Sequence, residues 1–208
     1  MILAAAHLLV LEQVAVHLMA QSATPPDPQE SAWVRACLAG ERDAFRPLVE
    51  RHHGGVLRVA ARILGDRIEA QDVAQESFLK AYSALHRYDL ERPFVTWLYR
   101  IAVNTCLDRR RRRRDVAMPD LEPADGAASA DSSLAQHERQ VALQRALARL
   151  PDDYRTILVL KDIEGLDYES IALILGGSLP ALKIRVVRAR SKLAVLFKKM
   201  YPELALDV

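Results

Sequence analysis

The stretch DYESIALILGGSLPALKIRVVRARSKL, residues 167–193, decides the fold of the C-terminal part of this chain. A short apolar segment ends at Gly176-Gly177, and a longer segment follows. The longer segment has apolar residues at intervals of three and four: Leu179, Leu182, Val186, Ala189 and Leu193. This spacing predicts an amphipathic helix with one buried stripe. Two helices separated by a tight glycine turn, the second of them basic, form a helix-turn-helix pattern.

The opposite side of this last helix combines apolar and cationic side chains. At 100° per residue, that side carries Ala181, Ile184, Val187, Arg188 and Ser191, while Lys183 and Arg185 flank the buried stripe. Arginine is the commonest reader of a guanine edge, and flanking cations contact phosphates. The pattern favours DNA binding over an ordinary basic surface helix. Ile184 and Val187 suit either thymine methyl groups or another protein.

The N-terminal half also has helical periodicity, with no alternating strand pattern between Ser31 and Arg114. Three long helices are predicted there. The first follows Asp43 and is ended by Gly65-Asp66, the second lies near 69–85, and the third starts near Pro93. The pair Gly54-Gly55 stands inside the first helix, where glycine is unfavourable, and predicts a bend or a break.

Composition divides the chain into two small domains. Residues 115–133 are acidic, rich in small residues and contain proline and glycine, which predicts a flexible linker. We therefore expect an all-α protein whose second domain is a helix-turn-helix domain. The expected parts are an N-terminal extension and linker at 1–29, a first domain at 30–114, the linker at 115–133 and the second domain at 134–208.

The N-terminal extension is apolar but does not have the pattern of a membrane span. His7, Glu12, Gln13 and His17 interrupt the run from Met1 to Ala20, and no Lys or Arg precedes it, which argues against a span and against a signal peptide. An amphipathic leader helix and an extension outside the fold both fit. The two widely separated cysteines exclude a disulfide scaffold and a cysteine-rich zinc site, and favour the cytoplasm.

Charge is concentrated at one place. The 29 Lys and Arg and 27 Asp and Glu give a net charge of +2, and the six arginines Arg109–Arg114 account for +6, so the rest sums to 2 − 6 = −4. Such a block indicates a phosphate-rich or acidic partner. The helix before it carries the aromatic residues Phe94, Trp97 and Tyr99. Aromatic faces take unstacked bases while cations hold the backbone. A solvated helix end would also explain the run, and Phe94 and Trp97 also suit the core.

A second polar face lies on the helix near 69–85, opposite Phe78. It carries Asp72, Gln75, Glu76 and Leu79. Carboxylates at i and i+4 could hold a metal, but no third ligand is evident. A contact for a basic partner surface is better supported, and plain solvation stays open. Because the sequence has no P-loop, Rossmann fingerprint or nucleophile elbow, we expect no enzyme activity, no metal and no cofactor.

Two groups of residues resemble a known family. The segments DVAQESFLKAY at 72–82 and FVTWLYRIAVN at 94–104 resemble the second conserved domain of bacterial sigma factors. Leu150-Pro151, the segment 164–172 and the basic end of the last helix resemble the fourth domain. The linker leaves no room for a third helical domain. The chain is therefore similar to the extracytoplasmic-function (ECF) group of the sigma-70 family, and to the stress sigma factors within it.

The resemblance implies a sigma factor that brings core RNA polymerase to promoters and captures the melted −10 strand. The implied partners are core polymerase, promoter DNA and an anti-sigma factor, without a small-molecule substrate. The resemblance assigns core binding to Asp72, Gln75, Glu76 and Leu79. It assigns −10 DNA to Phe94, Trp97, Arg100, Asn104, Arg109 and Arg110. It assigns −35 DNA to Ser178, Ala181, Lys183, Ile184, Arg185, Val187 and Arg188.

The last helix departs from the family pattern. Pro180-Ala181 replace the usual Gly-Thr, and Ile184 and Val187 replace more typical polar or aromatic residues. These departures concern the −35 sequence that is recognised. The alternative function is a stand-alone helix-turn-helix regulator, which would not need the face around Asp72. A metal-dependent nuclease is a third possibility, and the lack of a clustered ligand set argues against it.

Overall fold

The computed structural model describes residues 25–115 and 134–204, with side chains for 25–114 and 138–204. Every regular element in these ranges is helical, which confirms the all-α class. The α-helices are α1 Pro28–Leu38, α2 Arg46–Leu64, α3 Arg67–Ser83, α4 Phe94–Asp115, α5 Leu134–Ala148, α6 Asp152–Leu158, α7 Tyr168–Leu175 and α8 Leu179–Met200. Short 3₁₀ turns lie at Arg42–Phe45 and Leu85–Arg87, and a π-helical turn at Val159–Ile163. Residues 1–24 of the predicted N-terminal extension and 116–133 of the predicted linker fall outside the described residues, while α1 begins at Pro28 and α4 includes Asp115.

Helices α2, α3 and α4 form the core of the first domain, with α1 packed beside them. The connection between α2 and α3 follows from local chemistry. Gly65 ends α2 in the left-handed region, with φ 75°. Asp66 then caps α3 by accepting from the backbone N–H of Ile68 at 2.8 Å. The helix end predicted at Gly65-Asp66 is therefore confirmed.

Helix α2 runs unbroken through Gly54-Gly55, so the predicted break is wrong. The reason is tertiary. A Cβ atom at Gly55 would lie 2.4 Å from the hydroxyl of Tyr99 on α4, so the absence of a side chain lets α4 approach α2 closely. Close packing keeps a helix in place where propensity alone would weaken it.

The second domain contains the helix-turn-helix that the sequence predicts. Asp167 caps α7 by accepting from the N–H of Ser170 at 2.5 Å. Gly176 and Gly177 both have positive φ, 73° and 97°, which favours glycine there. The axes of α7 and α8 then meet at 94°, within the range of this motif. The buried stripe of α8 is confirmed, since Leu182, Val186 and Ala189 are fully buried.

The two domains touch each other in this structure. Helix α7 packs on α4, and α5 and α6 approach α2. Arg110 on α4 donates to Asp152 at 2.5 Å, and Arg155 donates to the carbonyl of Ile63 at 2.8 Å. Among the described helices, none is alone long and apolar enough to cross a membrane, and α7 with α8 reaches that length only as a bent pair.

Candidate functional site

A cavity of about 320 Å³ opens beside the start of α4. Its walls come from the connection between α3 and α4 and from one side of α4, namely Arg87, Tyr88, Asp89, Arg92, Thr96, Trp97 and Arg100, with Leu173 of α7 on the far side. The volume is at the lower end of the range for ligand pockets, about 300–1,000 Å³. The cavity therefore combines an aromatic wall with three arginines.

Two aromatic rings, those of Tyr88 and Trp97, form the apolar wall, and Phe94 packs against both of them. The ring centroids of Tyr88 and Trp97 lie 5.2 Å apart, and those of Phe94 and Trp97 lie 5.7 Å apart. The Tyr88 hydroxyl donates to the carbonyl of Arg92, which closes the loop on itself. Burial, with the nearby carboxylates of Glu30 and Asp89, raises the pKa of Tyr88 to about 12, so this hydroxyl stays a neutral donor.

One face of α4 continues from the cavity towards the arginine run. Trp97, Arg100 and Asn104 are spaced by three and four residues, and Arg100 and Asn104 are exposed. Seven residues after Asn104, Arg111 extends the same face and is paired with Asp108 at 3.1 Å. Arg111 belongs to the arginine run for which the sequence predicts a phosphate-rich or acidic partner, and its place two helical turns after Asn104 puts it on this face.

The structure turns three of the predicted −10 residues away from this face. Phe94 is only 1% exposed and supports Trp97 from below. Arg109 points to α3, where it contacts Glu76 at 3.3 Å, and Arg110 points to the second domain. In this arrangement Phe94 is buried and the two arginines are engaged by protein carboxylates, and the contact of these three side chains with DNA stays a prediction. The 100° step of the helix sends these successive arginines in different directions.

Tyr99, considered above as a stacking platform, also lies inside. It is 5% exposed, and its hydroxyl donates to Glu164 of the second domain at 3.2 Å. Burial, and then the Glu164 carboxylate, raise the pKa of Tyr99 far above its ordinary value. Of the aromatic residues at this end of α4, Trp97 is the partly exposed one that lines the cavity.

The outer face of α8 is open. Side chains on it are exposed at Ala181, Lys183, Ile184, Val187, Arg188 and Ser191, and Ser178 before the helix is exposed too. Arg185 is half-buried at the edge. Lys183 lies 5.7 Å from the ring centre of Tyr168, and Arg190 binds Asp162 through two nitrogens at 3.0 and 2.5 Å. Arg190 therefore fixes α8 to the body of the domain, while Arg188 faces outward.

The outer face of α3 carries the third group of predicted residues. Asp72, Gln75 and Leu79 are exposed, with 69% of Leu79 accessible. Glu76 is half-buried; hydrogen bonds from Lys80 and Arg109 hold the pKa of its carboxyl below the ordinary value. Ile68 lies one turn before Asp72 on the same face and is 76% exposed. Sequence reasoning missed Ile68, although its spacing of four residues from Asp72 marks it.

Among the side chains that the structure describes, no three His, Cys, Asp or Glu residues are gathered in a way that would hold a metal ion.

Two family models match the chain, one in each domain. The model for Sigma-70 region 2 matches residues 48–116, and the model for Sigma-70, region 4 matches residues 140–193. The first range holds the cavity and the faces of α3 and α4. The second holds the helix-turn-helix.

Curated and solved proteins agree with this match. The chain is 35% identical to the RNA polymerase sigma-H factor of Pseudomonas aeruginosa, over 78% of this chain and 90% of that protein. It is 35% identical to the ECF RNA polymerase sigma factor SigW of Bacillus subtilis, over 74% and 89%. A solved structure of CnrH in complex with the cytosolic domain of CnrY superposes with a TM-score of 0.63 at 31% identity, over 82% of this chain and 98% of that one.

Proposed function

We infer how this chain works from its family: it belongs to the extracytoplasmic-function group of the sigma-70 family and is an RNA polymerase sigma factor. We propose that it acts in the cytoplasm and makes no bonds itself. Core polymerase performs the chemistry, and this chain supplies base discrimination and strand capture. One observation carries this division of labour: the aromatic and cationic wall of the cavity belongs to the first domain, and the helix-turn-helix belongs to the second.

The cavity beside α4 is the proposed site for a base of the melted −10 strand. Trp97 supplies an apolar face, and Arg87, Arg92 and Arg100 supply cations for the backbone. Asn104, one turn further along the exposed face, offers both a donor and an acceptor. Unstacking a base costs a few kcal/mol, and these contacts offset that cost.

The outer face of α8 is the proposed reader of the −35 element. Arg188 lies near the middle of this face and suits a guanine edge in the major groove. Lys183 and Arg185 lie at its borders, where phosphates would pass. Residues of α8 nearest its N-terminus reach the bases, as in other helix-turn-helix domains.

The outer face of α3 is the proposed contact with core polymerase. Ile68 and Leu79 are large apolar side chains held in solvent, with Asp72 and Gln75 between them. Exposed apolar residues rimmed by polar ones are typical of protein interfaces. A stand-alone DNA-binding regulator has no use for such a face, so this face favours the sigma factor over that alternative.

A sigma factor that binds both promoter elements must separate its domains. By their numbering the two elements are about 25 base pairs apart, which is roughly 85 Å of duplex. In this structure, Leu173 of α7 and Trp97 of α4 line the same cavity, so the helix-turn-helix packs against the proposed −10 site. We propose that the described arrangement is that of the free protein. An anti-sigma factor is a further proposed partner, because the similar CnrH is solved with a second protein bound.

In vitro transcription with core polymerase and a promoter library tests the proposal. We expect transcripts that depend on this chain and share a −10 and a −35 sequence. DNA binding that is unaffected by core polymerase, without new transcripts, would instead support the stand-alone regulator.

A further inference from the structure

The recognition face of α8 has an unusual centre. Ile184 is 53% and Val187 is 62% exposed, although branched apolar side chains are normally buried. Arg188 lies beside them on the same face and makes no ion pair among the described residues. The face therefore presents two apolar groups and one unpaired guanidinium together.

The charge of α8 selects the class of molecule that fits this face. Residues 179–200 contain seven Lys and Arg residues and no Asp or Glu. Ile184 and Val187 are an apolar pair on a helix whose charged side chains are all cationic. Such a face matches a polyanion that carries apolar groups between its charges. In the major groove of DNA, thymine is the base that presents a methyl group.

We propose that Ile184 and Val187 read thymine methyl groups at two positions of the −35 element, next to a guanine read by Arg188. This proposal rests on the proposed function and names the bases that the same surface selects. Ile184 and Val187 are separated by about 4.5 Å along the helix axis, close to the rise of about 3.4 Å per base pair. They therefore reach neighbouring base pairs.

Replacing deoxythymidine by deoxyuridine removes only the methyl group, so it isolates the predicted contact. A promoter taken from the library selection would carry this change at each −35 thymine in turn, on either strand. Holoenzyme binding should weaken about fourfold at two adjacent positions, since one buried methyl group contributes about 0.8 kcal/mol. Ile184→Ala should abolish the discrimination at one of these positions and Val187→Ala at the other.

Val195→Ala is the matched control, because Val195 is 68% exposed on the same helix but far from its N-terminal end. It should keep both penalties. Equal binding of deoxythymidine and deoxyuridine promoters by the unmodified protein would overturn the methyl contact, and so would discrimination that survives both alanine variants. Either result leaves promoter-dependent transcription intact, whereas failure of the sigma-factor proposal would remove the transcripts themselves.

A separate observation concerns the contact between the domains. The carboxylate of Glu164, just after the π-helical turn, lies against the first domain with only 6% of its side chain exposed. It accepts from the Tyr99 hydroxyl at 3.2 Å and from Arg58 through two nitrogens at 3.4 and 3.2 Å. A buried carboxylate is stable only when such partners satisfy it.

Gly55 makes this contact possible. The Tyr99 hydroxyl lies over α2 at Gly55, one of the two adjacent glycines of this helix, 2.4 Å from where a Cβ would stand. A glycine in the middle of a helix costs about 1 kcal/mol relative to alanine. This loss of helix stability is not compensated within α2. What Gly55 allows is a tertiary contact, the approach of Tyr99 to Glu164.

We infer that Tyr99, Glu164 and Arg58 form a latch that holds the free protein closed, with α7 against the −10 cavity. Gly55→Ala would push the Tyr99 hydroxyl out of place. Gly54→Ala is the matched control, since a Cβ there meets only the flexible end of Arg58, at 3.6 Å. Both substitutions improve helix propensity equally, so a difference between them reports the latch.

Small-angle scattering of the full chain measures the closure directly. Gly55→Ala and Tyr99→Phe should both increase the radius of gyration, and Gly54→Ala should not. At limiting concentrations, the two opened variants should form promoter complexes with core polymerase several-fold better, because the competent fraction rises. A Gly55→Ala protein as compact as the unmodified chain would overturn the latch, whatever its activity in transcription.

Discussion

Replacing Arg155 should test how the second domain is held together. Arg155 is 1% exposed, and its guanidinium donates to the carbonyls of Leu147 at 2.9 Å, Leu150 at 3.0 Å and Ile63 at 2.8 Å, as well as to that of Ala148. Three of these carbonyls lie at the end of α5 or just beyond it, where backbone carbonyls lose their regular helical partners. The fourth lies at the end of α2 in the other domain.

The expected loss follows from these bonds. A hydrogen bond from a charged group contributes about 1.5–3 kcal/mol, so four would sum to roughly 6–12 kcal/mol. Removing the guanidinium also removes the cost of burying a charge, which is several kcal/mol. Arg155→Met keeps the apolar stem and should therefore lower the free energy of unfolding by about 3–5 kcal/mol. Lysine should not rescue the loss, because one ammonium group cannot reach carbonyls on several sides.

Urea unfolding followed by circular dichroism measures this change. Arg42→Met, at an exposed position of the first domain, is the control and should change stability by less than about 0.5 kcal/mol. A loss below about 1 kcal/mol for Arg155→Met would contradict the reasoning. It would mean that water satisfies the carbonyls as well as the guanidinium does.

Three further outcomes are expected. Asp72→Lys should weaken binding to core polymerase, measured by titration, at least tenfold without loss of helicity. The control is Asp43→Lys, because Asp43 is exposed but lies outside the α3 face, and it should leave this affinity unchanged. Asn104→Ala should reduce permanganate reactivity of −10 thymines more than it reduces closed-complex binding; normal melting would remove Asn104 from strand capture. Burial alone raises the pKa of Glu30, but bonds from His52 at 2.8 Å and from Arg51 outweigh it and leave the pKa lowered. A carboxyl whose pKa is lowered by folding stabilises the folded state at pH values above its unfolded pKa of about 4.3. The difference in unfolding free energy between the unmodified protein and Glu30→Gln should therefore be full at pH 7 and shrink as the pH falls below about 4. A difference that does not change with pH would refute this account.

The sequence predicted those features that depend on near neighbours. The buried stripe of α8 and the helix end at Gly65 follow from spacing and from one residue's conformational freedom, and both are confirmed. The exposed faces of α3 and α8 follow from the same periodicity. Local patterns are sufficient here because each helix buries one side only.

Features that depend on distant partners were not predictable in this way. The continuity of α2 at Gly55 requires Tyr99, which is 44 positions later in the chain. The sequence left open which of Phe94 and Trp97 is the buried ring, and the contacts of Phe94 with Tyr88 and Trp97 together decide it. The sequence around Arg155 does not mark it as a core residue. Its hydrogen-bond acceptors are backbone carbonyls, which every residue has, so no particular side-chain pattern accompanies them.

The arginine run has a consequence for how this gene can change. Arg109 and Arg113 contact acids of α3, Arg110 and Arg114 contact Asp152, and the residues between them face outward. In a helix of varied sequence, deleting one residue turns every later side chain by 100° and breaks its contacts. In this run, five of the six positions would still hold arginine after such a deletion. Only Arg114 would be lost, and Arg110 would keep its contact with the same carboxylate. Repetition therefore makes this helix tolerant of insertions and deletions within the run.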